Sequence, residues 1–278
     1  MSEDVKKTEE NNPGNSNYKG KANSNYKGKA NSNYKGKGNN KDNRQKRGPP
    51  LSPAQQRRKA AEERISNWTP KTELGRKVVS GEITTIHDAL ATGLPLREAP
   101  IVDLLITDLM EEVIDIHMVQ RMSDSGRRVR FAVTTIVGNG DGVVGIGRVS
   151  GKLVRPTITK ALDRAKLNII EVRRGSGSWE CSTAVPNSLP FEVSGRTGST
   201  RVKIKPAPPG VGLVTNQVGK IMLKLAGIED AWSFTRGQTQ TIYNFASAMF
   251  KALEKTRSTK LLPGQKDFHN MIKGVKQE

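Results

Sequence analysis

The sequence has few of the residues from which metal sites and disulfides are built. Cys181 is the single cysteine among 278 residues, so the chain cannot form an internal disulfide or a multi-cysteine zinc site. The three histidines, His87, His117 and His269, lie far apart and share no ligand-type spacing. We therefore expect no metal and no cofactor, and we interpret each histidine as an ordinary structural or surface residue.

Long apolar segments are also missing. No apolar run approaches the roughly 18 residues of a membrane-spanning helix, and the polar amino terminus lacks the apolar core of a signal peptide. We therefore expect a cytoplasmic protein that makes no membrane contact.

Acidic residues are scarce relative to basic ones. The chain contains 27 Asp and Glu against 46 Lys and Arg, for a net charge of +19. Such a charge opposes compaction by self-repulsion unless a polyanion neutralises it. Nucleic acid is the first candidate partner and an anionic membrane surface the second, and the missing membrane segment favours nucleic acid.

Residues 1–50 are predicted to be a disordered basic tail. They contain three copies of an eight-residue unit, starting at Asn15, Asn23 and Asn31, and each copy has one tyrosine and two lysines. Because the repeats contain too little apolar surface to offset the entropy of ordering, no packed core is expected there. The tail could lie along RNA with occasional base stacking, or it could be a linker with no specific partner.

The remaining sequence predicts an α+β protein of two domains. The predicted division is residues 51–108 as a helical N-terminal extension, 109–175 as the first domain, 185–257 as the second domain, and 258–278 as a C-terminal tail. In the extension, Ser52-Pro53 and Thr69-Pro70 resemble helix starts, and Gly81 is expected to end the second helix. Pro95 and Pro100 are expected to break the chain before a short helix that leads into a strand.

The first domain is predicted to be a three-stranded antiparallel sheet backed by a helix. Three β-branched runs between Ile114 and Val149 are separated by turn sequences at 123–126 and 139–142. The helix that follows has an apolar stripe expected to pack on the sheet: Leu153, Ile158, Ala161, Leu162 and Ala165.

The second domain is predicted to combine strands and helices as well. A strand pair surrounds Gly195 and Gly198, and the helix after it ends at Gly227. The longest helix follows, with these residues expected to face inward: Ile242, Phe245, Ala246, Met249 and Leu253.

Two glycine-rich segments superficially resemble nucleotide-binding loops. Gly140 to Gly145 fits G-x-G-x-x-G, but another strand follows it where a dinucleotide-binding loop would open a helix, so a hairpin turn explains it better. Pro206 to Leu213 lacks the lysine and hydroxyl that end a phosphate-binding loop. We therefore predict that the protein is not an enzyme and has no catalytic residues.

Basic clusters provide the most informative pattern. A charge run often forms only a solvated face, but arginines beside Gly and Ser at a hairpin tip suit phosphate, because the guanidinium fork matches phosphate oxygens. A further cationic residue, Arg164, lies on the first-domain helix. The predicted RNA-binding residues are Arg121, Ser123, Ser125, Gly126, Arg127, Arg128, Arg130, Lys152, Arg155, Lys160, Arg173 and Arg174.

Several long motifs, in order, resemble the small-subunit ribosomal protein S5 family in its archaeal-type form. They are VQRMSDSGRRVRF, GNGDGVVGIG, KALDRAKLNIIEVRRGSGSWEC, KPAPPGVGLV, LAGIEDAW and NFASAMFKAL. The resemblance runs from about Asn67 to Thr256 and leaves out the tail repeats.

The resemblance implies a first domain similar to double-stranded-RNA-binding folds, which read shape and 2′-hydroxyls, and a second domain of the S5 second-domain α+β type. It implies that the hairpin from Arg121 to Arg130 contacts small-subunit rRNA. It also implies contact with small-subunit protein four, an influence on decoding accuracy, and proximity to mRNA where it enters the subunit. The expected protein-interface residues are Arg201, Lys203, Pro206 and Pro208, and no homo-oligomer is expected.

The chain departs from the family pattern at a few positions. Resembling proteins often have Cys at the positions of Ser176, Ser182 and Ala184 and His at that of Asn187, so a zinc site built from those ligands is absent here. Pro209 stands where Arg is usual, which removes one polar contact. Two alternatives remain beside a ribosomal component: an RNA-binding protein outside the ribosome, and a nucleotide-dependent enzyme that uses a glycine loop.

Overall fold

The computed structural model of the chain describes residues 68–180 and 185–260, together with Ser66 and the backbone of Ile272 and Lys273. The predicted tail of residues 1–50, the helix expected from Ser52 and nearly all of the C-terminal tail lie outside the described residues. In the described part, no helix is long and apolar enough to cross a membrane.

Three short helices precede the first sheet: α1 (Glu73–Val79), α2 (Ile86–Ala91) and α3 (Ala99–Leu105). Helix α1 begins three residues beyond the predicted Thr69-Pro70 start, because the Thr72 hydroxyl accepts a hydrogen bond from Gly75 N and caps it. Gly81 follows its end with a positive φ of 81°, as expected. Pro100 lies in the first turn of α3, where a missing N–H costs nothing, so it starts the helix rather than breaking it.

The first sheet is antiparallel, in the order β1-β2-β3-β4, and helix α4 (Val154–Leu167) packs on one face. Its strands are β1 (Met110–Ser123), β2 (Gly126–Gly138), β3 (Val143–Gly151) and β4 (Ile169–Glu171). The predicted three strands and helix are present, and β4 adds a short fourth strand. Helix α4 approaches β3 closely, because a Cβ on Gly145 or Gly147 would collide with the helix backbone.

The prediction that Leu153 belongs to the buried stripe of this helix was wrong. Leu153 precedes α4 and is 69% exposed, whereas Ala161 and Ala165 are buried as predicted. The helix turns Lys166 inward instead, where its ammonium pairs with Asp103 and Glu111.

The second sheet has the order β6-β7-β9-β8, with β8 and β9 parallel and the other pairs antiparallel. Its strands are β6 (Val193–Thr197), β7 (Thr200–Pro206), β8 (Leu213–Val214) and β9 (Ala231–Arg236). A separate two-residue strand, β5 (Arg173–Arg174), pairs with β10 (Ile272–Lys273). Two helices complete the domain: α5 (Gln217–Leu225) and α6 (Ile242–Ser258).

The helices of this domain agree with the prediction. Gly227 follows α5 with a φ of 73°, and α6 buries Phe245, Ala246, Met249 and Leu253. The two-domain α+β architecture predicted from the sequence is therefore confirmed.

Strands β2 and β3 lie at the centre of the packing. Ile136 and Ile146 belong to a core cluster that also contains Met222, Phe245 and many other second-domain residues. Val137, next to Ile136, belongs instead to a cluster formed with the N-terminal helices. Because successive strand residues point to opposite faces, the sheet is covered on both sides.

Candidate nucleic-acid interface

The β1–β2 hairpin extends beyond the rest of its sheet. Strand β3 pairs with β2 only from Phe131 onward, whereas β1 and β2 remain paired to Ser123 and Gly126. Residues 119–130 therefore form a two-stranded projection.

One face of this projection carries arginines. Arg121 lies opposite Arg128, and Arg130 lies opposite Val119. Farther along the same face of β2, Thr134 lies opposite Arg148 of β3. Because side chains two residues apart share a face, these four arginines point to one side of the sheet.

The four arginines line a single groove of about 880 Å³. Its other lining residues are mainly apolar or hydroxylated, and Asp124 is the acidic one. We name this groove the arginine groove and define it by Arg121, Arg128, Arg130 and Arg148. Its excess of guanidinium groups suits an anion such as phosphate.

The tip of the hairpin is a tight turn. Asp124 and Ser125 occupy the turn, and Gly126 has a φ of 110°, a conformation that favours glycine. The Ser123 hydroxyl donates to the Gly126 carbonyl over 2.9 Å, and Ser125 Oγ lies 3.5 Å from Ser123 Oγ. The predicted Ser and Gly residues thus lie together at the tip, beside the arginine groove.

Arg127 points away from the arginine groove. It lies opposite Met122 on the other face, which α4 covers farther along the sheet. Lys152, Arg155 and Lys160 are exposed beside or on α4. The predicted cations are therefore divided between the two faces of the sheet, and the structure does not bring them into one site.

Arg173 and Arg174 have partners within the protein. Arg174 is only 5% exposed, and its Nη2 lies 2.7 Å from Asp141 Oδ1. Arg173 Nη1 donates to the Thr259 carbonyl over 2.9 Å. Because the Arg174 guanidinium is buried in an ion pair, its predicted role as an RNA contact is corrected to a structural one.

The residues predicted at a protein interface lie on β7 and after it. Arg201 and Lys203 are exposed and alternate with buried Val202 and Ile204. Lys203 Nζ lies 3.4 Å from Glu192 Oε1.

Pro206 ends β7 and Pro208 lies in the loop that follows. The loop is held in place because Ala207 N donates to Ser188 Oγ over 3.1 Å and Gly212 N donates to Asp230 Oδ1 over 2.7 Å. The glycine-rich segment therefore packs against its own domain.

Arg148 is the residue that the sequence prediction missed. Its Nη2 lies 3.4 Å from His117 Nε2, and its guanidinium carbon lies 4.5 Å from the centre of the Tyr243 ring. A sequence signal for it exists, because Arg148 is the single charged residue in the strand VVGIGRVSG. Its proximity to the hairpin arginines depends on strand register, which the sequence pattern did not specify.

Comparison with known proteins agrees with this architecture. The family model for the N-terminal domain of ribosomal protein S5 matches residues 109–173, and the model for its C-terminal domain matches residues 195–266.

Curated relatives match over most of their length. Small ribosomal subunit protein uS5 of Picrophilus torridus is 56% identical over 196 residues, which cover 70% of this chain and 89% of that protein. The protein of the same name from Thermoplasma volcanium is 52% identical over 197 residues, 71% of this chain and 89% of that protein. The one from Methanocaldococcus jannaschii is 49% identical over 210 residues, 76% and 97% respectively. The chain therefore belongs to the ribosomal protein S5 family, in its archaeal type.

Proposed function

We propose that the chain is a structural, non-enzymatic constituent of the small ribosomal subunit in the cytoplasm, and that it binds small-subunit rRNA through the arginine groove. The observation that carries this proposal is the convergence of Arg121, Arg128, Arg130 and Arg148 on one groove of a projecting hairpin. A projecting hairpin can reach between RNA segments, and fixed guanidinium groups can bind phosphates bidentately. The second set, Arg127, Lys152, Arg155 and Lys160, supplies a weaker electrostatic contact on the helix side.

The test of the arginine groove is the salt dependence of rRNA binding. We expect Arg128→Ala with Arg130→Ala to weaken binding of the full chain to small-subunit rRNA. The slope of log affinity against log salt is negative, and each lost phosphate contact reduces its magnitude by roughly 0.7–0.9. The double variant should therefore have a slope that is shallower by about 1.5. The matched control is Arg196→Ala with Arg236→Ala, which removes two exposed arginines from the second sheet. An unchanged slope in the hairpin variant would remove the groove from the RNA site.

The alternative function is RNA binding outside the ribosome. Salt screens contacts between exposed charges, whereas contacts that are buried in an assembly are screened much less. We therefore expect the chain to sediment with small subunits in high salt. Its loss from subunits under those conditions, with binding to free RNA retained, would favour the alternative.

We further propose that the second domain contacts small-subunit protein four and influences decoding accuracy, and that the protein lies near mRNA where it enters the subunit. The support is the exposed row of Arg201 and Lys203 beside the anchored loop that contains Pro206 and Pro208. A fixed surface of this kind suits a protein contact that is held in one state of the subunit and lost in another. A bias of about 1.4 kcal/mol would change the populations of two such states tenfold.

This proposal predicts a selective effect of charge reversal. Arg201→Glu should change misreading of near-cognate codons by several-fold while cognate translation changes little. The measurement compares near-cognate and cognate reporters in cells that carry the variant. A parallel fall of both reporters would show that the surface is merely structural.

A further inference from the structure

A second basic cavity lies between the two domains. It has a volume of about 680 Å³, and its walls come from β3 and α4 on one side and from α6 on the other. The residues that matter here are Arg97, Arg148, Arg164, Tyr243, Lys251 and Glu254. We name this cavity the interdomain cleft.

The interdomain cleft is strongly cationic. Arg97, Arg148, Arg164 and Lys251 are exposed, and Glu254 is the acidic lining residue. Within residues 68–180 and 185–260, none of these four cations takes part in an ion pair. An uncompensated cluster of this size repels itself, and binding of an anion relieves the repulsion.

Arg148 joins the interdomain cleft to the arginine groove, because it lines both. Its position is fixed from two sides. Asp115 Oδ2 lies 2.8 Å from His117 Nδ1, and His117 Nε2 lies 3.4 Å from Arg148 Nη2. Since arginine can only donate, Nε2 accepts and Nδ1 donates to Asp115. The Tyr243 ring supports the guanidinium from the second domain at 4.5 Å.

We propose that a single-stranded segment of RNA runs from the arginine groove into the interdomain cleft, with Arg148 as the contact shared by both. Arg97, Arg164 and Lys251 bind phosphates there, and a base stacks on the Arg148 guanidinium, which Tyr243 backs. The cleft volume falls within the roughly 300–1,000 Å³ typical of sites for drug-sized ligands, so it can hold an unstacked nucleotide. Continuity with the arginine groove favours RNA over an acidic protein segment. This inference rests on the proposed rRNA binding and extends it to a second site.

The test removes one cation from each wall of the cleft. In the full chain, Arg164→Ala with Lys251→Ala should make the slope of log affinity for small-subunit rRNA against log salt shallower by about 1.5. The matched control is again Arg196→Ala with Arg236→Ala, which should leave the slope unchanged. Both cleft side chains are exposed, and Arg164→Gln with Lys251→Gln retains most of their volume, so a loss shared by both variants reports charge and not misfolding.

The hairpin variant separates this inference from the proposed function. If Arg128→Ala with Arg130→Ala flattens the slope and the cleft variants do not, the inference fails and the groove stands. If neither set changes the slope, both fail. If the cleft variant and the second-sheet control variant flatten the slope equally, the change reflects the overall charge of the chain, and the cleft site is overturned.

A crosslinking experiment identifies the occupant directly. Archaeal small-subunit rRNA transcribed with 4-thiouridine and bound to the full chain should crosslink to the peptide that contains Tyr243. Crosslinking should fall at least several-fold in the Arg164→Ala, Lys251→Ala variant. Crosslinks to the hairpin peptide that contains Arg128, with none to the peptide that contains Tyr243, would overturn the proposal.

Discussion

Lys166 has its charged end inside the protein although it belongs to a residue type that is almost always exposed. The residue is 4% exposed, and its ammonium lies 2.7 Å from Asp103 Oδ1 and 3.1 Å from Glu111 Oε1. Burial lowers the pKa of this ammonium, but the hydrogen bond and charge of Asp103, together with Glu111, outweigh that effect and hold the pKa above its ordinary value. The triad therefore links α3, β1 and α4.

Replacing Lys166 with Met should strongly destabilise the fold. The substitution leaves two carboxylates without their buried cation, which costs roughly 3–5 kcal/mol of unfolding free energy. Urea unfolding at neutral pH measures it. The control is Lys77→Met, which breaks an exposed pair with Glu73 and should change stability by less than about 1 kcal/mol. Equal effects of the two substitutions would contradict the structural role of the triad.

The effect of Lys166→Met on the free energy of unfolding should depend on pH in one direction. Because the folded-state pKa of Lys166 is raised, its stabilisation is complete below the ordinary lysine pKa and is lost as pH rises through the raised value. The difference in unfolding free energy between the wild type and Lys166→Met should therefore be constant around neutral pH and shrink only in strongly alkaline solution. A difference that stays unchanged in strongly alkaline solution would contradict this assignment.

The contacts of individual side chains were the hardest feature to predict from the sequence. The hairpin arginines could be predicted as a cluster, because they are close in sequence and flank a turn. Arg174 could not be separated from them, since its partner Asp141 lies 33 residues away and only the fold brings the two together. Lys166 is a similar case, with a contact to Asp103 across 63 residues. Such long-range pairs leave no trace in local composition or periodicity.

Among the elements, the pairing of α6 with β6 depends on Gly195. A Cβ on this residue would collide with the Ala248 carbonyl and approach Ala252 N at 2.7 Å, so the helix backbone lies directly on the strand. Any side chain here must displace α6 from the second sheet.

Gly195→Ala should therefore cost stability through overpacking. Shifts of packed backbone cost roughly 1–3 kcal/mol, and the upper end is expected because the obstacle is backbone and not a flexible side chain. Thermal unfolding measures it, with exposed Ser194→Ala on the same strand as the control. A Gly195→Ala protein as stable as the control would show that α6 is less tightly packed than the structure has it.

Helices and strands marked by turn sequences or by a clear periodicity were predicted well, and those without such local signals were not. The turns at 123–126 and 139–142 and the alternating runs around them predicted the β1–β2–β3 order. Strand β4 has three residues, too few for a period of two to be visible, and it exists because it pairs with β3. The predicted start of α1 at Thr69-Pro70 was three residues too early, because the Thr72 hydroxyl caps the helix through Gly75 N. The predicted division into residues 1–50, 51–108, 109–175, 185–257 and 258–278 stays a prediction.

At the scale of the whole molecule, the two domains share one core. Ile136, Val144 and Ile146 of the first sheet belong to the same buried cluster as Met222 and Met249 of the second domain. The domains are also joined by backbone, since Gly140 N donates to the Leu225 carbonyl over 2.9 Å. The sequence predicted two domains but could not predict this continuity, because each element's periodicity shows that it has an apolar face and not which neighbour covers it.

A shared core predicts that the two domains unfold together. Met249→Ala removes a fully buried side chain from α6 and should cost roughly 2–5 kcal/mol through the lost burial and the cavity left behind. Because one cluster spans both sheets, amide hydrogen exchange should accelerate in β2 and β3 of the first domain as much as in β7 and β9 of the second. Exposed Thr235→Ala on β9 should leave exchange unchanged in both. If Met249→Ala accelerates exchange only in β7 and β9, the domains unfold separately. The interdomain cleft would then lie between two independent bodies, and Arg148 would reach Tyr243 in only part of the population.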